Sequence, residues 1–326
     1  MERCLLTRIG CRYVCSFCPS PRPYEVSDYD YAGNVRTMKQ EIDSAPGDCD
    51  TFIISGCDCN EDLSLMFDLI SRIRTRRNHA TRIYIQSHCA AFQDRRVVEK
   101  LSACRVSRIL VPVYGADVET HQTVMSPKPG IVETGFPQME AIENCLETGI
   151  DVTARMVIAN SNKDDNIRVI DKLMALAVRY NRAIECTITP VYYVEGRNDN
   201  YVPFKDLPPT LRKLHRHITG LADKERHLSC YFMGFPYCLF TGPDPSISNA
   251  DFLENLLSEY TKAMGNQLPA SAMLYSEVDP RIPRYRIRVQ DPMCGECRYN
   301  DECAGFQRLD YEAFGIGSLR PYSPAP

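Results

Sequence analysis

Three cysteines near the start of the chain stand close enough together to hold one metal cluster. Cys11, Cys15 and Cys18 have the spacing C-x3-C-x2-C and directly follow an apolar run. Three thiolates in one loop can bind three irons of a [4Fe–4S] cluster, which leaves the fourth iron open to another ligand. With cysteine at about 5% of positions, chance gives about 0.04 such patterns per chain. The alternatives are scattered core cysteines and a zinc loop, but zinc usually requires a fourth ligand.

A second group of cysteines stands near the end of the sequence. Cys294, Cys297 and Cys303 form a C-x2-C-x5-C array, and Cys238 offers a fourth thiolate from an upstream turn. Cys230 is the alternative fourth ligand. Four cysteines can fully ligate a second [4Fe–4S] cluster or a zinc ion, and the spacing by itself does not separate the two.

The elements that must position these cysteines alternate along the first 195 residues. Short β-branched runs predict strands, and amphipathic stretches between them predict helices, which is typical of βαβ units in a parallel sheet. The predicted strands are 4–9, 51–56, 82–87, 108–115, 152–158 and 185–191, and the predicted helices are 34–44, 61–77, 93–103, 133–148, 164–180 and 208–226. Right-handed crossovers curl six such units into a partial barrel. We therefore expect an α/β fold with a partial (β/α)6 TIM-like barrel.

Beyond about residue 195 the sequence becomes rich in Pro, Asn, Tyr and Gly, which is typical of loops. We expect a barrel domain of residues 1–228 and a C-terminal domain of residues 229–326 that contains the second cysteine group. The C-terminal domain carries one further helical pattern, at 249–265.

Composition argues against several classes of protein. The 326 residues include 38 Lys and Arg against 42 Asp and Glu, so the net charge of -4 predicts no nucleic-acid partner. The N-terminus lacks a signal-peptide core, and no apolar run approaches a membrane span. We therefore expect a cytoplasmic protein without a membrane partner, whose 16 cysteines serve as ligands and core residues rather than disulfides.

The first cysteine group, with Phe17 before its third member, resembles the signature of the radical S-adenosylmethionine (radical SAM) superfamily. The predicted βα units resemble that family's partial barrel. The resemblance implies that Cys11, Cys15 and Cys18 hold a [4Fe–4S] cluster whose open iron binds SAM. It also implies an enzyme with oxidoreductase- or lyase-type radical chemistry, which cleaves SAM reductively to a 5′-deoxyadenosyl radical and abstracts a hydrogen from its substrate.

The resemblance implies further SAM contacts at the ends of strands. Gly56 and Asp58 stand where the family carries a Gly-Gly-Glu or Gly-Gly-Asp turn that receives the methionine ammonium group. Cys57 replaces the second glycine, so the implied role carries over to Gly56 and Asp58 only. The alternative for this segment is an ordinary turn at the end of a strand.

Further polar residues lie on or just after the later strands. Arg155 resembles the arginine that pairs with the SAM carboxylate, for which a bidentate guanidinium is well suited. Ser87 and Asn160 are expected to add polar SAM contacts, since barrel ligands gather at the carboxyl ends of strands. Asn162 is an alternative to Asn160, and either asparagine could instead cap the next helix. A histidine like His121 occurs in related peptide-modifying enzymes, often with a structural role.

The second cysteine group resembles the shortened auxiliary-cluster appendage called a twitch subdomain. The longer SPASM version continues with two more cysteines, whereas no cysteine follows Cys303. We therefore expect one auxiliary [4Fe–4S] cluster, held by Cys238, Cys294, Cys297 and Cys303.

The segment 121–158 resembles peptide-modifying radical SAM enzymes, so we expect cross-linking or rearrangement of a ribosomally made peptide (RiPP maturation). The electron donor would be a protein such as flavodoxin or ferredoxin. Because the predicted barrel starts at residue 4, a peptide substrate implies a separate leader-peptide-binding protein or direct docking. The alternatives are a dehydrogenase or ring-forming enzyme for a small metabolite, and an iron–sulfur electron-transfer or zinc-stabilised binding protein. The pattern assigns no catalytic acid or base.

Overall fold

The structure is a computed structural model, and it describes most of the barrel and parts of the C-terminal region. The described residues are 2–7, 10–15, 17–18, 30–56, 61–77, 79–191, 193, 200–221, 224–240, 288–297, 303 and 305–319. One predicted site residue, Asp58, and one predicted helix, 249–265, lie outside the described residues.

Strands and helices alternate through the barrel. The strands are β1 (Glu2–Thr7), β2 (Tyr13–Cys15), β3 (Thr51–Gly56), β4 (Arg82–Gln86), β5 (Arg108–Pro112), β6 (Met125–Pro127), β7 (Asp151–Ile158), β8 (Ile184–Pro190), β9 (Leu228–Phe232), β10 (Arg288–Val289) and β11 (Phe306–Gln307). The α-helices are α1 (Tyr31–Ser44), α2 (Leu63–Arg76), α3 (Arg95–Ala103), α4 (Val118–Val124), α5 (Pro137–Thr148), α6 (Asn166–Tyr180), α7 (Pro208–Gly220), α8 (Lys224–His227) and α9 (Arg308–Phe314).

Seven of the strands form one sheet in the order β1-β3-β4-β5-β7-β8-β9, and every neighbouring pair is parallel. This confirms the predicted α/β fold, and the six predicted strands all lie in the sheet. The seventh strand, β9, extends the sheet to Phe232 and was not predicted. Its sequence, LSCYF, is only 5 residues long and carries little of the β-branched signal that marks the others.

The sheet and its helices share one apolar core. Each strand contributes buried residues such as Phe52, Ile85 and Ile188, and α2 buries Leu65 and Leu69 on the face that packs against the sheet. Each such side chain contributes about 1.5–3 kcal/mol through removal from water. Within the described residues, no helix has both the length and the apolar character needed to cross a bilayer.

The helices start soon after the strands end, and aspartates cap several of them. Asp62 accepts from the Leu65 N–H at the start of α2, and Asp117 accepts from the Thr120 N–H at the start of α4. Such caps satisfy backbone donors that a helix leaves unpaired at its N-terminus. Because the sheet is parallel, the strand-to-helix loops collect at its carboxyl edge. The cysteine loop and the described residues among the predicted SAM contacts lie at or near this edge.

Gly56 ends β3 under a strict steric constraint. Its φ of +122° lies in a region that L side chains rarely adopt, and a Cβ atom there would stand 2.1 Å from the Thr7 carbonyl oxygen. Gly56→Ala should therefore destabilise the chain by about 3 kcal/mol, from backbone strain and the clash with β1. Urea denaturation of the metal-free chain measures this change.

Gly47→Ala is the matched control, because a Cβ atom at Gly47 would meet nothing within 4 Å. We expect it to change the free energy of unfolding by about 0.5 kcal/mol or less. Equal stabilities of the two variants would contradict the steric role of Gly56.

Candidate functional site

A short ribbon holds the first cysteine group above the sheet. β2 contains Cys15 and pairs antiparallel with β6, where Cys15 lies opposite Met125. The Lys128 N–H extends this pairing by donating to the Arg12 carbonyl at 2.8 Å. Cys11, Cys15 and Cys18 are all partly exposed and outside any disulfide, so their thiols are accessible as ligands.

Tyr114, at the carboxyl end of β5, connects the cysteine loop with Arg155. The ring of Phe17 packs edge-on against Tyr114 at 5.3 Å between centroids. Burial raises the pKa of the Tyr114 phenol, and negative charge at the three cysteines raises it further, whereas the positive charge of Arg155 lowers it. The three predicted cluster ligands and Arg155 thus lie close enough to the same ring to act on its ionisation.

Arg155 lies on β7 between Pro112 of β5 and Thr187 of β8. Its side chain is partly buried and makes no hydrogen bond or ion pair with any residue that the structure describes. A partly buried guanidinium is costly without a partner, and its planar donors match a carboxylate. The residue therefore has the chemistry and the free donors that the predicted contact with the SAM carboxylate needs.

Ser87 is a buried residue with a clear local role. Its Oγ accepts from the Cys89 N–H at 2.9 Å, in a turn where Cys89 takes a φ of 70°. The hydroxyl oxygen thereby stabilises an unusual backbone conformation after β4. The contact between Ser87 and SAM stays a prediction.

The two asparagines after β7 differ in their surroundings. Asn162 is buried, accepts from the Ala159 N–H at 2.8 Å, and donates to the Tyr114 and Val157 carbonyls at 2.9 Å each. It therefore ties the end of β7 to the end of β5. Asn160 is exposed, and its Oδ1 accepts from Lys163 at 2.9 Å, an exposed bond that its side chain can exchange for a ligand.

His121 is fixed by backbone and rings rather than by charge. Its Nδ1 accepts from the Tyr114 N–H at 3.1 Å, its ring stacks on Tyr114, and Phe136 packs edge-on against it. Its Nε2 has no hydrogen-bond partner in the described part of the chain. Burial lowers the pKa of His121 to about 3, so the imidazole is neutral at pH 7.

Glu61 is a site residue that the sequence prediction missed, and its partner in the structure is His88. The prediction placed Glu61 inside a helix at 61–77, but α2 begins at Leu63, which leaves Glu61 in the loop facing Arg12. Burial would raise the pKa of Glu61, but the hydrogen bond from His88 and the charge and N–H of Arg12 lower it to about 2. In the sequence Glu61 is only the acidic residue before the Asp62 cap, which gives no signal of this role.

The second cysteine group converges in the structure. Cys238 is buried just after β9, and its pKa is raised first by burial and then by negative charge at Cys303, Cys294 and Cys297. Cys230 instead lies opposite Cys186 across β8 and β9, and its hydrogen bond with Cys186 raises the pKa of that thiol. Cys238 thus lies within electrostatic reach of the other three cysteines, and its role as the fourth ligand stays a prediction.

The donor sets fit iron–sulfur clusters. Among the residues described, no three His, Cys, Asp or Glu side chains converge tightly enough for a single metal ion. A cubane cluster requires a wider arrangement, since each thiolate binds a different iron. Three thiols in the first group and four in the second match a cluster with one open iron and a fully ligated cluster, respectively.

Hydrogen bonds fasten the C-terminal segment to the barrel. The side-chain amide of Gln307 donates to the Tyr193 carbonyl and accepts from the Tyr193 N–H, both at 2.9 Å. Asp310 is fully buried and accepts from the Tyr201 hydroxyl and from the Phe204 N–H. These contacts place the segment that follows Cys303 against loops at the carboxyl edge of the barrel.

Residues 7–174 match the sequence profile of the Radical SAM superfamily. The chain belongs to this superfamily. Membership implies an enzyme that uses a [4Fe–4S] cluster and SAM, in agreement with the prediction from the cysteine loop. No curated protein matches the chain.

Solved radical SAM structures share the fold. SuiB from Streptococcus suis with bound S-adenosylmethionine has a TM-score of 0.56 at 15% identity, covering 98% of this chain and 74% of SuiB. Native anSMEcpe with bound AdoMet has a TM-score of 0.54 at 15% identity, covering 70% of this chain and 63% of anSMEcpe. The match thus spans less than two thirds of the anSMEcpe chain. SuiB bound to the precursor peptide SuiA has a TM-score of 0.50 at 15% identity, covering 78% and 54% of the two chains.

The buried neutral state of His121 predicts a pH dependence of stability. The unfolded chain binds a proton at this histidine near the ordinary value of 6.5, whereas the folded chain binds it only near 3. Between these values the unfolded state holds more protons, so stability falls as the pH falls. His121 should make the metal-free chain about 2 kcal/mol less stable at pH 5 than at pH 7.

His121→Asn keeps an acceptor for the Tyr114 N–H and removes the titrating ring. Chemical denaturation at pH 5 and pH 7 should therefore show a smaller loss of stability on acidification in this variant than in the wild type. An unchanged pH dependence would contradict the assignment of the effect to His121.

Proposed function

We propose that this radical SAM enzyme modifies a ribosomally made peptide, by cross-linking or rearrangement, with the help of one auxiliary [4Fe–4S] cluster. The observation that carries the proposal is the pairing of two cysteine groups on one barrel. Cys11, Cys15 and Cys18 stand at its carboxyl edge, and the segment after Cys303 is fastened beside that edge.

The residues around the first group have separate roles in the proposal. Cys11, Cys15 and Cys18 ligate the first cluster, and the guanidinium of Arg155 receives the SAM carboxylate. When bound there, the cluster and SAM supply a 5′-deoxyadenosyl radical that can abstract a substrate hydrogen. In this proposal Gly56 and Asp58 receive the methionine ammonium group, and Ser87 and Asn160 contribute polar contacts.

In this proposal, the aromatic packing on this edge limits the access of water to the chemistry. Phe17, Tyr114, Tyr193 and Phe314 are partly buried against one apolar cluster that includes Tyr201. Because a carbon radical reacts with whatever hydrogen lies nearest, a dry and rigid wall favours abstraction from the bound substrate. Phe17 of the cysteine loop and Phe314 of the C-terminal segment pack against this same apolar cluster.

Cys238, Cys294, Cys297 and Cys303 hold the auxiliary cluster in this proposal. Four thiolates saturate a cubane, so a cluster held by these residues would supply an electron acceptor and would not bind substrate through an iron. The position of Cys230 against Cys186 supports the choice of Cys238 as the fourth ligand.

Peptide chemistry is supported by the structures that share the fold. SuiB is known bound to its precursor peptide SuiA, and native anSMEcpe is known with bound AdoMet and the Kp18Cys peptide. We assign a peptide substrate to this chain on that basis. A flavodoxin or ferredoxin would supply the electron, a separate leader-peptide-binding protein could deliver the substrate, and the reducing cytoplasm would protect the thiolates.

Cys15→Ala should abolish reductive SAM cleavage, because two thiolates cannot hold the first cluster in place. The reconstituted chain is incubated anaerobically with SAM and dithionite, and 5′-deoxyadenosine is quantified. The wild type should form 5′-deoxyadenosine, and candidate peptides present in the reaction should change mass by loss of hydrogens or by rearrangement, read by mass spectrometry.

Cleavage of SAM by Cys15→Ala at the wild-type rate would contradict the first cluster site. Wild-type cleavage with modification of a small metabolite, and of none of the peptides, would contradict the peptide substrate and favour the dehydrogenase or ring-forming alternative.

Metal content separates the auxiliary-cluster candidates. After reconstitution and desalting the wild type should hold about eight irons, and Cys238→Ala should fall toward about four because one iron loses its thiolate. Cys230→Ala should stay near the wild-type value. Zinc in place of iron, or equal iron in Cys238→Ala and the wild type, would contradict the assignment.

A further inference from the structure

Arg12, the residue that follows Cys11, is fastened by a single carboxylate oxygen. Its backbone N–H donates to Glu61 Oε1 at 2.9 Å, and its side-chain Nε donates to the same oxygen at 3.2 Å. The first of these bonds acts on the peptide unit adjacent to a predicted cluster ligand. Glu61 therefore constrains the backbone of the cysteine loop directly, and not only through a side chain.

Glu61 is in turn oriented by His88. The His88 Nε2 lies 2.9 Å from the same Oε1, and the Ala90 N–H donates to His88 Nδ1 at 3.1 Å, which leaves Nε2 as the donor to Glu61. Only 3% of the His88 side chain is exposed, against 22% for Glu61. One carboxylate oxygen thus accepts three hydrogen bonds at a position that is largely removed from solvent.

The next loop residue, Tyr13, is enclosed by the same group. Its ring packs edge-on against His88 at 4.6 Å between centroids. Gln138 donates to the His88 carbonyl at 2.8 Å and to the Tyr13 hydroxyl at 3.5 Å, and Tyr13 donates to Glu133. We call Arg12, Tyr13, Glu61, His88 and Gln138 the loop collar.

The loop collar draws on elements that are far apart in sequence. Glu61 precedes α2, His88 follows β4 and Gln138 lies in the first turn of α5. A loop that brings three thiolates to one cluster must otherwise lose its conformational freedom when the cluster binds. Groups that orient metal ligands from behind typically change metal affinity about 10–100-fold when they are removed.

We infer that Glu61 and His88 are positioning residues for the first cluster, and that they hold the Cys11–Cys15 segment in a ligand-ready conformation through Arg12. The inference rests on the assignment of Cys11, Cys15 and Cys18 to the cluster. It adds residues that neither the cysteine signature nor the predicted SAM contacts include. Neither residue ligates the cluster.

The charge of Glu61 gives the loop collar a second measurable effect. A carboxylate beside the loop opposes the addition of an electron to the nearby cluster. Glu61→Gln removes that charge and keeps the side-chain length, so the reduction potential of the first cluster should rise. A residue that only supported the fold would leave the potential unchanged.

Glu61→Gln should lose the first cluster about ten-fold faster than the wild type when both are exposed to an iron chelator. The part of the electron paramagnetic resonance signal that shifts on addition of SAM reports the first cluster separately from the auxiliary one. His88→Ala should behave like Glu61→Gln, and His88→Gln, which restores a donor of similar length, should lie closer to the wild type.

Glu99→Gln is the matched control. Glu99 also carries an ion pair with an arginine, Arg95, but on an exposed face of α3. It undergoes the same chemical change, and its cluster lifetime and potential should equal those of the wild type. Urea denaturation of each metal-free variant shows whether it folds, so that cluster loss is compared among folded chains only.

Wild-type cluster lifetime and potential in folded Glu61→Gln would overturn the inference, as would equal behaviour of His88→Ala and His88→Gln. The cluster assignment itself is tested separately. If Cys15→Ala retained the SAM-responsive signal, the first cluster site would be wrong, whatever the loop collar variants showed.

Discussion

The parallel sheet is the constraint on which the site depends. Because every neighbouring pair in the seven-stranded sheet is parallel, each strand ends at the same edge, and each loop to a helix begins there. Tyr114 and Arg155, which are distant in sequence, are brought together at that edge, and the β2–β6 ribbon adds Cys15. Gly56 shows how closely the strands approach at this edge, since no side chain fits between it and Thr7.

Hydrogen bonds from distant elements then convert that edge into a defined geometry. Asn162 ties the end of β7 to the residues that follow β5. His121 accepts a hydrogen bond from the backbone N–H of Tyr114, two residues beyond the end of β5. Buried polar groups are costly when unpaired, so these bonds specify one arrangement of the loops. The cysteine loop is held in the same way by Glu61.

The C-terminal segment uses the same kind of contact. The Gln307 side chain forms hydrogen bonds with both the N–H and the carbonyl of Tyr193. Asp310 accepts hydrogen bonds from the Tyr201 hydroxyl and the Phe204 N–H, and Tyr201 belongs to the apolar cluster against which Phe314 packs. Burial raises the pKa of Asp310, which favours the protonated or hydrogen-bonded state. The segment that follows Cys303 is thus anchored against loops at the carboxyl edge of the sheet.

The sequence by itself determined the ligand types, their spacing and the βα alternation, because thiolate spacing and hydrophobic periodicity are local properties. It therefore predicted the cysteine loop and six strands of the sheet. Only the tertiary structure decided that Cys230 lies opposite Cys186, that β9 extends the sheet, and that Glu61 faces Arg12. These facts depend on which loops meet at one edge, and contacts between residues 49 positions apart leave no periodic trace in the sequence.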